Sequence, residues 1–262
     1  MIFIGVDAAW GDVNETGLVA LEPSGDVADA GWSIGTDAAT AWICDHAGAD
    51  TLVFIDAPLI VTNRTGQRLC ETHVGQRYWR WSVSANSTNT ASRRLGGVAL
   101  LNALGRNGFS YDDGIDGPPT SGRIVSECYP YTTIVGYEPL AYDVRPLYKR
   151  KPRAMRAAEF RAVRAAACDD LIQRVAALAH ADPPLDLGSH ETTRRLLEEA
   201  SPLDNASYKH REDLLDAALC AWTAALWHRS GFKRCQVLGA AHGVVRPAAT
   251  IIAPARPEQR IT

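Results

Sequence analysis

An apolar run that ends in an aspartate constrains the fold of this chain more than any other feature. Residues 51–55 read Thr-Leu-Val-Phe-Ile with no polar alternation, and Asp56 follows directly. Such a run is typical of a central strand that is buried on both faces of a sheet. A helix predicted over residues 37–47 precedes it and would return the chain as a right-handed crossover to a parallel strand. The pattern therefore predicts an α/β fold.

The N-terminal part of the chain predicts three further strands. Alternation over residues 2–6 predicts a strand that ends at Asp7, and residues 16–22 and 26–34 predict two more. The chain would thus open with a three-stranded meander. In open α/β sheets, functional sites lie beyond the carboxyl ends of the strands. Asp7 and Asp56 both fall at such ends.

The middle of the chain interrupts this pattern. Residues 60–122 are rich in Arg, Ser, Thr, Asn and Gly, and we interpret them as a partly helical insertion after the fourth strand. The predicted elements beyond it are a strand at 123–130, helices at 153–180, about 190–200 and about 209–228, and a tail at 235–254 that forms a small hairpin or packs loosely. We see no repeat and no second domain, so residues 1–262 are predicted as one domain.

Composition excludes several classes of protein. The 262 residues are 46% hydrophobic and 22% charged, which is typical of a globular chain and not of a disordered, collagenous or coiled-coil one. The six cysteines form no CxxC pair, which argues against a zinc site and a disulfide scaffold. The N-terminus lacks the features of a signal peptide, and no apolar run reaches membrane length. A cytoplasmic location without membrane contact is expected.

Positive charge is concentrated in two blocks although the net charge is −3. Residues 61–110 hold seven Arg against one acid, and residues 144–164 hold eight basic residues against one acid. Such separation can attract an anionic substrate such as nucleic acid to one face. Simple solvated surface is the equal alternative.

Carboxylates mark the places where chemistry is expected, namely Asp7, Asp56, Glu127, Asp213 and Asp216. Asp213 and Asp216 are three residues apart and share one face of the last helix. Asp216 precedes a largely apolar sequence, and its carboxylate would be costly to bury there without a partner. Mg²⁺ or Mn²⁺ would supply one, since both prefer carboxylate oxygens. The acids at the strand ends also have a structural interpretation, as turn residues at Asp7 and Asp56 and, for Glu127, as the partner of Arg123 or a nearby lysine.

Basic residues near these acids are candidates for substrate binding. Arg64 and Arg68 follow Asp56 and would hold a phosphate, or else form a salt bridge to Glu71 or remain in solvent. Lys149 follows a second predicted loop and would meet an anion if it is not plain surface. His210 would assist proton transfer or simply cap or solvate the start of the last helix. The aromatic residues of the insertion would stack on bases or, as is commoner, pack inside it: Tyr78, Trp79 and Trp81.

Five sequence motifs together resemble a known family. They are GVDAAW at 5–10, IDAPL at 55–59, Arg68 with Cys70 and Glu71, SECYP at 126–130, and EDLLDAALCAW at 212–222. They are similar to motifs of the domain of unknown function 429 family, whose members are predicted nucleases with a ribonuclease H-like fold. The resemblance covers about residues 2–229. The last motif also resembles the Holliday-junction resolvase branch of that superfamily.

The resemblance implies both a fold and a site. The implied fold is a ribonuclease H-like five-stranded mixed sheet flanked by helices and antiparallel at its first three strands. The implied metal ligands are Asp7, Asp56, Asp213 and Asp216, and Glu127 lies in the family's own Glu-x-Tyr-Pro motif. The expected activity is metal-dependent hydrolysis of phosphodiester bonds in nucleic acid by a two-metal carboxylate mechanism with Mg²⁺ or Mn²⁺.

Other functions remain open from the sequence. A non-catalytic nucleic-acid or metal-binding module would keep the same carboxylates, and a phosphohydrolase acting on a small phosphorylated metabolite would suit the same site. A related kinase and ATPase branch is disfavoured, because no Gly- and Thr-rich loop follows Asp7 or Asp56. The sequence does not decide whether Glu127 or Glu212 completes the cluster.

Overall fold

The computed structural model describes residues 1–11 and 13–260. The strands of this part of the chain are β1 (Ile2–Asp7), β2 (Glu15–Leu21), β3 (Val27–Ile34), β4 (Thr51–Ile55), β5 (Ser110–Tyr111), β6 (Arg123–Glu127), β7 (Cys235–Leu238) and β8 (Ile251–Pro254). The α-helices are α1 (Thr36–His46), α2 (Leu69–Tyr78), α3 (Gly96–Arg106), α4 (Pro130–Gly136), α5 (Ala157–Ala176), α6 (Glu191–Glu198) and α7 (Asn205–Ser230). Short 3₁₀ turns connect several of them.

One mixed sheet organises the molecule, with the strand order β3-β2-β1-β4-β6-β5. The first three strands are antiparallel, which confirms the predicted meander. β4 pairs in parallel with β1, and β6 pairs in parallel with β4. Every residue of β4 is buried, as its unbroken apolar sequence predicts. The α/β class expected from the sequence is confirmed.

The number of strands differs from the five that were expected. A sixth strand, β5, pairs in parallel with β6 at the edge of the sheet. It lies inside the segment 60–122 together with α2 and α3. Because β5 has only two residues, it carries no alternation that a sequence pattern could reveal.

Several element boundaries also differ from the predicted ones. The strand predicted over 123–130 ends at Glu127, because Pro130 occupies the first turn of a helix, α4, that was not predicted. The last helix begins earlier than expected, since the side chain of Asp204 accepts a hydrogen bond from the Ser207 N–H at 2.9 Å and caps it. The tail forms the antiparallel pair β7 and β8, one of its two predicted alternatives.

Helices cover both faces of the sheet. Ile4 and Val6 point toward a core that includes Ile43 of α1 and Leu100 of α3. The other face packs against α7 together with α2, α4 and α5. No helix in the described ranges is both long enough and apolar enough to span a membrane.

Two glycines allow α7 to lie directly on the strands. A Cβ atom on Gly5 would lie 1.9 Å from the carbonyl oxygen of Ala217 and 2.2 Å from the amide nitrogen of Ala221. A Cβ on Gly17 would lie 2.2 Å from the carbonyl oxygen of Asp213. A side chain at either position would push the helix outward. These contacts set the height of α7 above the ends of β1 and β2.

Candidate functional site

Two strand ends and one helix bring three aspartates together. Asp7 is the last residue of β1, and Asp56 directly follows the parallel neighbour β4. Asp216 lies on α7, which packs closely over β1. One carboxylate oxygen from each residue lies within 4.8 Å of the other two. We call Asp7, Asp56 and Asp216 the acidic triad.

The triad is buried more completely than its hydrogen bonds justify. Asp216 is 0% exposed and Asp7 is 8% exposed. The Oδ2 atom of Asp7 is buried and accepts no hydrogen bond from the described residues. Its charged neighbours are ammonium groups 3.8 Å away. Because a buried carboxylate oxygen without a close partner is costly, this atom marks a position for a cation.

Lys149 places its ammonium group against the triad. Its Nζ atom lies 3.8 Å from Oδ2 of both Asp7 and Asp56, and 3.7 Å from Oε1 of Glu212. It also forms a direct ion pair with Asp216. The sequence suggested that Lys149 would meet the anion of a substrate. In the structure it meets the carboxylates of the protein itself.

The residue before this lysine anchors the loop. The hydroxyl of Tyr148 donates a hydrogen bond to Oδ1 of Asp216 at 2.8 Å, and its own carbonyl accepts one from the hydroxyl of Tyr208 at 2.5 Å. Tyr148 is fully buried. The loop backbone is thus fixed at the triad, and one oxygen of Asp216 is oriented by a neutral donor.

A second lysine lies on the other side of Asp7. Lys209 Nζ is 3.2 Å from Oε1 of Glu212 and 3.8 Å from Oδ2 of Asp7, and it pairs directly with Asp213. Asp213 and Glu212 are four and three residues beyond it on α7, so all three side chains share one face. Lys209 was not among the predicted site residues, although its spacing to Glu212 and Asp213 is visible in the sequence.

Burial shifts the pKa values of the site. It raises the pKa of Asp56 to about 7, and the negative charge of Asp7 adds to this effect while Lys149 opposes it. Burial also raises the pKa of Asp213 to about 8, with Asp7 as the next contributor. For Lys149, burial alone would lower the pKa, but Asp7, Glu212 and Asp56 raise it well above its ordinary value. Five carboxylates therefore face only two lysines, Lys149 and Lys209, among the described residues: Asp7, Asp56, Glu212, Asp213 and Asp216.

The donor set suits a hard divalent cation. The triad offers carboxylate oxygens only, as Mg²⁺ and Mn²⁺ prefer. Within residues 1–11 and 13–260 it is the one group of three or more acidic, histidine or cysteine side chains close enough to hold an ion. These residues fit a metal ion, since Oδ2 of Asp7 is buried, accepts no hydrogen bond and lies 3.8 Å from two ammonium groups.

Glu127 lies outside the triad, although it ends the neighbouring strand β6. Both its oxygens accept hydrogen bonds from Arg68 at 2.7 Å, and Oε2 also accepts the amide of Leu59 at 3.0 Å. Arg68 Nε donates in turn to Glu71 at 2.9 Å. We call Arg68, Glu71 and Glu127 the Arg68 network. Glu127 has the cation partner that its structural interpretation required, but that partner is Arg68.

The other predicted substrate-binding residues are distributed differently. Arg68 is 4% exposed and forms the predicted alternative, a salt bridge to Glu71, together with its pair to Glu127. Arg64 is exposed. Tyr78 and Trp81 belong to the core, whereas Trp79 is 72% exposed. Tyr78 and Trp81 therefore pack into the main core rather than inside the insertion, and the hydroxyl of Tyr78 donates a hydrogen bond to the carbonyl of Pro254 in β8.

A cleft of about 1300 Å³ opens at the triad. Its lining includes Asp7 and Asp56 of the triad, both lysines and several residues that were not predicted as site residues: Trp10, Trp32, Asn86, Arg150 and Arg195. Arg150 donates to Asn86 Oδ1 at 2.7 Å across this lining. Trp10 comes three residues after Asp7 and is 45% exposed. The cleft thus joins an acidic floor to a rim with basic and aromatic side chains.

His210 lines the same cleft and is held on two sides. Its Nδ1 atom lies 2.7 Å from Oε2 of Glu15, and its ring stacks on Trp32 with centroids 3.4 Å apart. The expectation that it caps the last helix is wrong, because Asp204 is the cap. A proton-transfer role for His210 stays a prediction.

Comparison with known proteins identifies the family of the chain. A family model described as "Protein of unknown function (DUF429)" matches residues 5–237. The matched range runs from β1 into β7 and contains the whole triad, both lysines and the Arg68 network. No curated protein and no solved structure matches the chain.

Proposed function

The chain belongs to the DUF429 family, and from this premise and the geometry of its acidic triad we propose that it is a metal-dependent nuclease. It would hydrolyse phosphodiester bonds of nucleic acid with Mg²⁺ or Mn²⁺. The convergence of three carboxylates, two buried and one half-buried, supports this proposal most strongly, together with the buried Oδ2 of Asp7, which accepts no hydrogen bond. The folded protein keeps an excess of negative charge at the triad, and such an arrangement is typical of functional sites.

The sheet supports a ribonuclease H-like assignment. Its first three strands are antiparallel, β4 returns parallel to β1, and acids follow the carboxyl ends of both parallel strands. Helix α7, which packs on one face of the sheet, then adds further acids to the site. On this assignment β5 is an addition at the edge, next to the strand that would be the fifth. Fold likeness alone does not decide activity, so the site must be tested directly.

The residues of the site would divide the work. Asp7, Asp56 and Asp216 would hold a divalent ion, and Asp213 would serve a second ion if the site takes two. Such ions lower the pKa of a bound water and neutralise the leaving oxygen of a phosphodiester. Tyr148 orients Asp216 through its hydrogen bond to Oδ1.

Exposed arginines support nucleic acid as the substrate class. Those of the two basic blocks that lie at the surface include Arg64, Arg77, Arg80, Arg93, Arg94, Arg106, Arg150, Arg153, Arg156 and Arg161. Arg150 also lines the cleft. If they bind the phosphate backbone, affinity must fall steeply as the salt concentration rises. A flat salt response would disconnect these residues from substrate binding.

Cleavage of a defined substrate panel tests the proposal. Labelled single-stranded DNA and RNA, duplex, RNA–DNA hybrid and a four-way junction are incubated with protein in Mn²⁺ or Mg²⁺. We expect Asp7→Asn to lower cleavage by about 100-fold or more, the size of effect seen when one charge-stabilising group is removed from an active site. The same variant should melt no earlier than the wild type, because it relieves the crowding of negative charge.

Asp45→Asn is the matched control. Asp45 is an exposed residue of α1, on the opposite face of the sheet from α7. This control should cleave like the wild type. Equal cleavage by Asp7→Asn would contradict the proposal. Tight binding without cleavage of any substrate would favour a binding module, and silence in both assays would favour a small phosphate ester as substrate.

A further inference from the structure

Two ammonium groups already occupy the positions where cations would bind. Lys149 Nζ lies within ion-pair distance of all three triad carboxylates. Lys209 Nζ contacts Asp7 from the other side, together with Glu212 and Asp213. An ion at the triad and the Lys149 ammonium would share the same oxygens, and their like charges exclude simultaneous binding there.

The two lysines differ in what surrounds them. The triad is the place where three oxygens from three separate elements converge, whereas Glu212, Asp213 and Lys209 belong to one stretch of α7. The Lys209 pairs are local helix contacts at spacings of three and four residues and need no rearrangement to persist. Lys149 comes from an irregular loop between α4 and α5 and reaches the triad on a flexible four-carbon stem.

The backbone beside Lys149 is fixed independently of its side chain. Tyr148 is held through its hydroxyl by Asp216 and through its carbonyl by Tyr208. The ammonium can therefore leave the triad by rotation of the lysine side chain while the loop stays in place. The Lys149 side chain is 20% exposed toward the cleft, so it has a path outward.

We propose that the triad binds a single divalent ion in exchange for the Lys149 ammonium, and that the Lys209 ammonium holds the place of a second ion. The inference rests on the proposed metal site and narrows its two-ion form to one ion. Asp7 is the shared ligand, since its Oδ2 lies 3.8 Å from both ammonium groups. That buried oxygen accepts no hydrogen bond, and a bound divalent ion would give it a partner at coordination distance.

A titration with Mn²⁺ measures both the number of bound ions and their affinity. Calorimetry and the electron paramagnetic resonance signal of free Mn²⁺ monitor the binding. We expect one ion per chain in the wild type. Lys149→Met removes the competitor, so it should bind one ion about tenfold more tightly or better. Lys209→Met should bind a second ion. Lys151→Met, an exposed lysine that contacts only carbonyl oxygens, should match the wild type.

Each outcome separates this inference from the proposed function. Two ions in the wild type, or unchanged affinity in Lys149→Met, would overturn the exchange and leave the nuclease proposal standing. One ion with the expected shifts but no cleavage would support the exchange and contradict the nuclease proposal. If neither the wild type nor Lys149→Met binds Mn²⁺, both the exchange and the nuclease proposal are overturned.

A labelling experiment on the wild type removes any dependence on the stability of the variants. The chain has four lysines, at positions 149, 151, 209 and 233, so acetylation of each is resolved by mass spectrometry. Saturating Mn²⁺ should increase the labelling of Lys149 several-fold relative to the exposed Lys151 and Lys233. If Mn²⁺ is shown to bind and the labelling of Lys149 does not change, the exchange is overturned.

Discussion

Two neighbouring parallel strands, β4 and β6, each lead into a carboxylate, half-buried at Asp56 and buried at Glu127, and the two carboxylates have opposite surroundings. Asp56 follows β4 and joins a group in which acids outnumber cations. Glu127 ends β6 and is paired oxygen by oxygen with a buried arginine. The strand ends are adjacent in register, since Ile55 lies opposite Glu127. Position in the fold therefore does not decide the role of a carboxylate, and its partners do.

The difference separates a structural group from a functional one. In the Arg68 network, Arg68 also donates to the carbonyl of Ile60, while Glu71 accepts the amides of Arg68 and Thr88. It thus ties the loop after β4 to two other segments. In the triad, by contrast, the Oδ2 of Asp7 has no hydrogen bond among the described residues. A fully paired buried network stabilises a fold, and a partly unpaired one must be completed by something else.

Arg68→Met should produce the largest loss of stability. It leaves Glu71 and Glu127 buried without their cation, which costs about 3–5 kcal/mol in the free energy of unfolding. Urea denaturation measures this loss, and Mn²⁺ should not restore it because the network binds no ion. Arg68→Lys keeps the charge but loses the paired geometry, so its free energy of unfolding should lie between those of the wild type and Arg68→Met. Wild-type stability in Arg68→Met would remove the distinction between the two groups.

Gly5→Ala should disturb the triad and spare the Arg68 network. The added methyl would meet the backbone of α7, and overpacking of this kind costs about 1–3 kcal/mol. Displacement of α7 would also separate Asp216 from Asp7 and weaken Mn²⁺ binding. Gly31→Ala is the matched control in the same sheet, because its Cβ meets nothing within 4 Å. Equal melting temperatures and Mn²⁺ affinities in both variants would contradict the proposed close contact.

Tyr148→Phe should weaken the metal site with little effect on the fold. It removes the hydrogen bond that orients Asp216 and leaves the aromatic packing intact. Loss of such an outer partner of a metal ligand lowers affinity by about 10–100-fold. Calorimetric titration with Mn²⁺ measures the change. Tyr129→Phe is the control, since the hydroxyl of that residue bonds to the carbonyl of Ser84 and not to the triad.

The smallest expected effect is the pH dependence of the triad. Because burial raises the pKa of Asp56 to about 7, one ligand is lost to protonation as the pH falls through 7. Mn²⁺ affinity should therefore drop by about tenfold between pH 8 and pH 6. The folded state of the metal-free protein favours the protonated acid, so this contribution to stability is present at low pH and is lost as the pH rises through 7.

The melting temperature checks the sign of this linkage. Metal-free wild type should melt earlier at pH 8 than at pH 6, and Asp213, whose pKa is raised to about 8, contributes in the same direction. Asp56→Asn lacks one of these titrations and should show a smaller difference. A metal-free protein that melts later at pH 8 would contradict the crowding of charge at the triad.

Much of the fold could be predicted from local patterns. The apolar sequence of β4, the alternation that ends at Asp7 and the long apolar stretch of α7 each specify their element. Elements without periodicity were missed, namely the two-residue β5 and the helix α4 after Pro130. Both depend on neighbouring segments, because neither is long enough to be stable or recognisable alone.

The site was predictable in part for the same reason. Asp7 and Asp56 were identified because strand ends in an α/β sheet converge, and Asp216 because an acid amid apolar helix residues needs a partner. Lys209 was missed although its spacing to Asp213 was visible. The pairing of Glu127 with Arg68 joins residues 59 positions apart, and no local pattern reports such a contact.

By itself the sequence determined the α/β class, the order of the main strands and the acids at the ends of β1 and β4, since these follow from hydrophobic periodicity along the chain. Only the tertiary structure decided which acids are paired and which are left in excess. That choice depends on distances between side chains far apart in sequence. It made Glu127 part of the Arg68 network and placed Lys149 among three aspartates.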